Sequence, residues 1–181
     1  MTVSRPTETG FVLQLRFDDE SEAKVRSLWS SLDAAGLPSF VGYSHDRHVP
    51  HLALAGIVAP PDDSALRRLA RLKSVLPKAL AFTHLGVHAS LPCELFIGVA
   101  VDRALLSCHG EAQQVLKLDH QLPGFALGEW VPRCVLSDRL ADASELARAL
   151  SLVATDFVPF HATIANACFF DQEAGMEFPI F

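Results

Sequence analysis

Two apolar stretches of the sequence each carry one polar side chain whose type could do chemistry. Residues 49–54 read VPHLAL and residues 131–136 read VPRCVL, so His51 and Arg133 occupy the same third position. An imidazole can take up or release a proton near neutral pH, which suits acid–base catalysis. A guanidinium stays protonated, and its planar fork is suited to binding phosphate. The two stretches therefore indicate one proton-exchanging group and one anion anchor.

Both stretches have the composition of β-strands, and in each a proline favours an extended entry. Side chains at positions i and i+2 of a strand point to the same face. We therefore expect His51 to share a face with Ala53, and Arg133 to share the equivalent face with Val135. The residues between them would point into the core.

The two stretches belong to a longer internal repeat. Val49 and Val131 are separated by 82 residues, and the strands that precede each first helix, at Phe11 and Leu95, are separated by 84. Elements that keep one order and nearly one offset indicate a duplication of strand, helix, motif strand and helix. We predict a single domain over residues 1–181, with a first half at about 11–90, a second half at about 91–181 and a cleft between them.

Alternating periodicities predict the elements that position the motif strands. Strands are predicted at 11–17, 48–56, 80–88, 94–101, 130–137 and 156–170, with a short end at 178–181. Helices are predicted after Asp18 or Asp19 as far as Gly36, from about 60 to 76, from Asp102 to about 116, and through 146–153. Strands and helices that alternate in this way are typical of an α+β domain.

The sequence resembles the 2H phosphoesterase superfamily, and within it the bacterial 2'-5' RNA ligase-like branch. The resemblance is carried by PHLALAG at 50–56, LLSCHGEAQQVL at 105–116 and WVPRCVLS at 130–137, and by the order and spacing of the elements. It implies a bilobal α+β fold with pseudo-two-fold symmetry, in which two mostly antiparallel sheets line a central cleft and the helices lie outside. It also implies metal-independent chemistry, in which two histidines exchange protons across the cleft and two threonine or serine hydroxyls hold the phosphate.

This chain departs from the family pattern at three of its four diagnostic positions. The resemblance places His51 at the first histidine, Ala53 and Val135 at the two hydroxyl positions, and Arg133 at the second histidine. Loss of one member of an acid–base pair typically lowers the rate by ~10²–10⁴. We therefore predict a degenerate site, as in a pseudoenzyme. Arg133 would bind the phosphate of a nucleotide or RNA terminus, His51 would be a residual polar contact, and catalysis would be weak or absent.

Two alternative functions remain open from the sequence. Residues 161–164, HATI, match the His-x-Thr pattern, so His161 could supply the second imidazole and Thr163 a hydroxyl for the phosphate. The protein would then be an active 2',3'-cyclic nucleotide phosphodiesterase or 2'-5' RNA ligase-like enzyme that uses His51 with His161. In the second alternative, the scaffold is a protein-interaction module without a pocket. If Arg133 binds no ligand, then Asp138, Glu129 or another acid must neutralise it.

No cofactor or metal site is expected. His45, His48 and His51 are spaced for one face of a helix, but Val49-Pro50 favours an extended chain, which separates them. The four cysteines are far apart without a CxxC pair, which indicates free buried thiols in a reducing compartment.

The bulk composition limits the partners. The net charge is −6, with 21 acidic and 15 basic residues, so we expect no extended nucleic-acid surface and only a local phosphate contact. No apolar run approaches the ~20 residues that a membrane span requires, and no apolar leader is recognisable. We expect a cytoplasmic monomer that does not bind membranes.

Overall fold

The computed structural model describes residues 9–41, 48–116 and 121–181. These residues form eight strands and four α-helices, with a 3₁₀ helix at Ala70–Ser74 after the second α-helix. The strands are β1 (Phe11–Phe17), β2 (His51–Ile57), β3 (Leu80–His88), β4 (Cys93–Val99), β5 (Arg133–Leu140), β6 (Phe160–Ala162), β7 (Ile164–Asp171) and β8 (Met176–Pro179). The helices are α1 (Asp19–Ala34), α2 (Asp63–Leu69), α3 (Arg103–Leu116) and α4 (Ala143–Asp156).

An aspartate caps the amino terminus of each α-helix. The carboxylate of Asp18 accepts a hydrogen bond from the Ser21 amide at 2.9 Å, and that of Asp102 accepts one from the Leu105 amide at 2.7 Å. The carboxylates of Asp62 and Asp142 cap α2 and α4 in the same way. Such caps satisfy amide donors that have no partner within the helix, so these aspartates fix where the helices begin. The cap predicted at Asp18 or Asp19 is therefore Asp18.

The strands form two antiparallel four-stranded sheets that exchange strands between the two halves of the chain. One sheet has the order β2-β1-β7-β8 and the other has the order β5-β4-β3-β6. Thus β7, which is late in the chain, pairs with β1, while β3 from the first half pairs with β4 from the second. The predicted α+β fold, with two antiparallel sheets that line a cleft and helices outside, is confirmed. The division into two halves stays a prediction.

Two predicted elements differ from the structure. The stretch 156–170 is not one strand, because α4 continues to Asp156 and the chain then forms β6 and β7, which join different sheets. Ala162 pairs with Leu80, whereas Ile164 pairs with Phe17, so the chain crosses from one sheet to the other at Thr163. The predicted helix at 60–76 is shorter, and its second part is the 3₁₀ helix.

The core lies between the helices and the outer faces of the two sheets. Leu13, Leu15, Leu52, Leu54 and Leu136 are fully buried there. The four cysteines are all free and buried, as the sequence indicated. Within the three described ranges, no helix combines the length and apolarity that a membrane span needs.

Candidate functional site

The two motif strands lie against each other across the cleft. β2 is the edge strand of one sheet and β5 is the edge strand of the other, and the two are in contact. His51, Ala53, Arg133 and Val135 all line one cavity of about 430 Å³, while the residues between them are buried behind. The period of two along each strand therefore brings all four motif positions to one surface, as the sequence predicted.

His51 is a neutral ring held in one orientation. Its Nδ1 lies 2.8 Å from the carbonyl of Val49, so Nδ1 carries the proton and Nε2 carries the lone pair. Burial lowers the pKa of His51 to about 4, which the bond to Val49 opposes and the charges of Arg16 and His48 reinforce. A ring with this pKa is uncharged at neutral pH. His51 can accept a hydrogen bond or a proton, but it has little tendency to hold a second proton.

Ala53 and Val135, at the two hydroxyl positions of the family pattern, have apolar side chains. Their main-chain carbonyls, however, each accept a hydrogen bond from a tryptophan indole. The indole Nε1 of Trp130 donates to the carbonyl of Ala53 at 2.9 Å, and that of Trp29 donates to the carbonyl of Val135 at 3.1 Å. Each tryptophan comes from the half of the chain that does not contain the strand it binds. These bonds tie each motif strand to the opposite half, while the side chains of Ala53 and Val135 have no group that could donate a hydrogen bond to a phosphate.

Arg133 is paired with an acid that the sequence did not single out. Its Nε donates to Glu94 at 2.5 Å and its Nη1 donates to the carbonyl of Val131 at 2.9 Å. In the sheet Arg133 lies opposite Gly98, and the guanidinium extends along β4 over the ring of Phe96, 5.5 Å from its centroid, to reach Glu94. Glu94, on the neighbouring strand β4, therefore makes the short charged hydrogen bond. Asp138 and Glu129, the two acids named from the sequence, also line the cavity.

Two further imidazoles line the same cavity, those of His48 and His88. His88 pairs with Glu94 in the β3–β4 ladder, and its Nδ1 lies 3.9 Å from a carboxylate oxygen of Glu94. His88 was not predicted as a site residue, because no motif surrounds it in the sequence. The only signal was its place at the end of a strand, immediately before a turn and the strand that carries Glu94.

The structure does not bring His161 or Thr163 to the cavity. His161 is exposed on β6, where it pairs with Ala81 at the far edge of the second sheet. Thr163 is exposed in the crossing between β6 and β7, and its carbonyl accepts the amide of Asp18 at 3.0 Å. Neither residue is among those that line the cleft with His51. HATI therefore matches the family pattern in sequence, but His161 and Thr163 lie away from the cleft.

The ranges that the structure describes contain no group of three or more His, Cys, Asp or Glu residues arranged to hold a metal ion. Of the histidine triple considered above, His45 lies outside the described residues. His48 also lines the cleft, where its ring is tilted against that of Phe40 with 4.8 Å between the centroids.

Comparisons with known proteins give a limited result. No family model matches the chain, and no curated protein matches it. A solved structure of Usb1 from Kluyveromyces marxianus is similar at 13% identity and a TM-score of 0.47, covering 95% of this chain and 98% of that chain. A second structure of the same protein, with uridine monophosphate, is similar at 12% identity and a TM-score of 0.46, covering 96% and 100%.

Proposed function

We propose that this protein is a 2H phosphoesterase-type protein with a degenerate site. Its cleft would bind a nucleotide or an RNA-terminal phosphate, with weak or no catalysis. The observation that carries this proposal is which residues stand at the four motif positions. All four line one cavity, but only His51 has a side chain that can exchange a proton. The proposal rests on the residues of this chain and on the family resemblance in its sequence.

The chemistry of the cleft opposes the two-histidine mechanism. That mechanism needs one group that takes a proton and a second group that gives one. His51 with a pKa of about 4 is a weak base at neutral pH. Arg133 cannot give up its proton, because a guanidinium does not deprotonate in proteins. No side chain at positions 53 or 135 can donate a hydrogen bond to a phosphate oxygen.

The carboxylates that line the cavity favour ligands with a small negative charge. Arg133 is already bound by Glu94, and the carboxylates of Glu129 and Asp138 line the same space. Like charges in a cleft raise the free energy of a bound anion, so polyphosphates and dianionic phosphates are disfavoured. A phosphodiester carries one negative charge. We therefore propose that a nucleoside 2',3'-cyclic phosphate or an internal phosphodiester binds more tightly than a phosphate monoester.

A thermal-shift and calorimetric titration tests this proposal. Uridine and adenosine 2',3'-cyclic phosphates should raise the melting temperature of the wild-type protein, since a ligand that binds only the folded state must stabilise it. The double variant Arg133→Met with Glu94→Gln removes the guanidinium without leaving an unpaired buried carboxylate, and it should lose this shift. Arg67→Met, on the exposed surface of α2, is the matched control and should keep it. A wild-type protein that binds none of these ligands would refute the proposal.

His88 supports one second candidate, an active cyclic phosphodiesterase in which His51 and His88 exchange the protons. The supporting observation is that both rings line one cavity and that Glu94 lies near the second ring. In this case the wild-type protein would turn over 2',3'-cyclic nucleotides, and His51→Ala and His88→Ala would each abolish turnover. His161→Ala, which changes an exposed residue outside the cavity, should retain it.

A further inference from the structure

The floor of the cleft contains a buried amide that no part of the fold explains. Gln14 on β1 is only 5% exposed, and it lines the cavity with the motif residues. Its Oε1 is buried and has no hydrogen-bond partner among the described residues. An unsatisfied buried polar group is unfavourable for folding, and the great majority of such groups in proteins have a partner. A ligand in the cleft would supply one.

Gln14 occupies a central place in the site. It pairs with Ala53 across β1 and β2, and cross-strand neighbours of this kind have Cβ atoms about 5 Å apart. The next residue on the same face of β1, Arg16, pairs with His51 and forms an ion pair with Glu177 at 2.6 Å. Gln14 is therefore the neutral polar group beside the position where the family pattern has a hydroxyl.

An apolar wall adjoins Gln14 on the side away from His51. It is formed by Val12, Leu122, Phe125 and Phe170, which all line the cavity. The wall is fixed in place, because Gln113 donates to the carbonyl of Phe125 at 2.8 Å and the Leu122 amide donates to Gly56 at 2.9 Å. The ring of Phe125 lies directly over Gly56, where a Cβ atom would come within 2.6 Å of it. A flat apolar group could therefore pack against a prepared surface next to the amide.

We infer that Gln14 binds the hydrogen-bonding edge of a planar heterocycle, and thereby determines which nucleobase the cleft accepts. A carboxamide presents one acceptor and two donors, which can pair with the adjacent donor and acceptor of a base edge. The apolar wall would contact the face of the ring, while Arg133 holds the phosphate. This inference rests on the proposed function and adds a specificity residue to it.

The test compares Gln14→Met with Gln114→Met, a control on the exposed surface of α3. Binding of 2',3'-cyclic AMP, 2',3'-cyclic UMP and base-free methyl ribofuranoside 2,3-cyclic phosphate is measured by calorimetry. Gln14→Met should lower the affinity for at least one of the two nucleotides by about 10-fold and leave the affinity for the base-free compound unchanged. It should also keep or raise the melting temperature of the unliganded protein, since an apolar side chain of similar shape replaces an unsatisfied amide. Gln114→Met should change none of these quantities.

The possible results distinguish failure of the Gln14 inference from failure of the proposed function. Equal affinities of wild type and Gln14→Met for both nucleotides would overturn the role of Gln14 while leaving the proposed function intact. A lower melting temperature with unchanged affinities would assign Gln14 a structural role instead. Failure of the wild-type protein to bind either nucleotide would refute the proposed function, and this inference with it.

Discussion

The motif strands β2 and β5 have the same backbone environment and different chemistry. Each is an edge strand, each buries the residues between its cleft positions, and each has the carbonyl of its fifth motif residue bound by a tryptophan indole from the other half. At the third position, however, β2 has a neutral imidazole and β5 has a guanidinium paired with Glu94. The comparison shows that two strands with matching packing and main-chain bonding can present side chains of different chemistry to one cleft.

This difference has a direct physical consequence. A guanidinium and a neutral imidazole together can hold an anion, but they cannot pass a proton in and another out. Substitutions in the two strands and in the residues bound to them can remove this difference or measure it.

The largest effect is expected when β5 and β2 are both given the side chains of the family that the sequence resembles. The triple variant Ala53→Thr, Arg133→His and Val135→Thr introduces two hydroxyls and a further imidazole. Its rate of 2',3'-cyclic nucleotide hydrolysis should exceed that of the wild type by ~10²–10⁴, because a second acid–base group is worth about that factor. The rate is measured by chromatography of the products. The same triple variant with His51→Ala is the control and should return to the wild-type rate. A triple variant that folds but hydrolyses no faster than the wild type would contradict the correspondence of β2 and β5 to the two family motifs.

The next effect concerns the buried imidazole of β2. Since burial lowers the pKa of His51 from 6.5 to about 4, the unfolded chain binds more protons than the folded chain between these values. The free energy of unfolding should therefore fall as the pH drops from 6.5 to 4, by at most about 3 kcal/mol from this residue.

Urea denaturation at pH 7 and at pH 4.5 measures this loss. His51→Gln should lose less stability on acidification than the wild type. The exposed His161→Gln is the control and should behave as the wild type does. His109 is a second buried imidazole whose pKa is lowered by burial, so some acid sensitivity should persist in His51→Gln. Equal acid sensitivity of His51→Gln and wild type would contradict the assignment.

The two indole bonds should contribute similar stability. Trp29→Phe and Trp130→Phe each leave a motif carbonyl without its donor, which should lower the free energy of unfolding by about 1–3 kcal/mol. Trp29 is 3% exposed, whereas Trp130 is less buried and stacks on His109 with 4.0 Å between centroids. Denaturation of both variants measures the two losses. A loss confined to one of them would show that the symmetry of the two strands is only geometric.

The smallest effect is expected at Glu94. Glu94→Gln removes the charge that competes with a ligand for Arg133, so the affinity for a nucleoside 2',3'-cyclic phosphate should rise by about two- to five-fold. Calorimetry at low salt measures the change. Glu111→Gln, on the exposed surface of α3, should have no effect. A lower affinity in Glu94→Gln would mean that Glu94 orients Arg133 more than it competes for it.

The α+β class and the four motif positions were predictable from local periodicity, whereas the two antiparallel sheets around a cleft were implied by the family resemblance. Each of these signals can be read from the sequence alone. The side-chain alternation of β2 and β5 and the aspartate caps involve only a few neighbouring residues, and the repeat has one nearly constant offset. The pairing of Arg133 with Glu94, by contrast, depends on an arginine side chain that extends along a neighbouring strand. His88 reaches the cleft through the β3–β4 ladder, and the missing partner of Gln14 Oε1 is a property of its surroundings in the fold. None of these contacts leaves a pattern in the linear sequence.

The most direct test of the central claim is the rate at which the wild-type protein hydrolyses 2',3'-cyclic nucleotides, measured beside His51→Ala. If the cleft lacks a working pair of proton-exchanging groups, the two proteins should show the same residual rate while the wild type still binds the nucleotide. A wild-type rate that falls by ~10² or more in both His51→Ala and His88→Ala would contradict the account and establish an active enzyme.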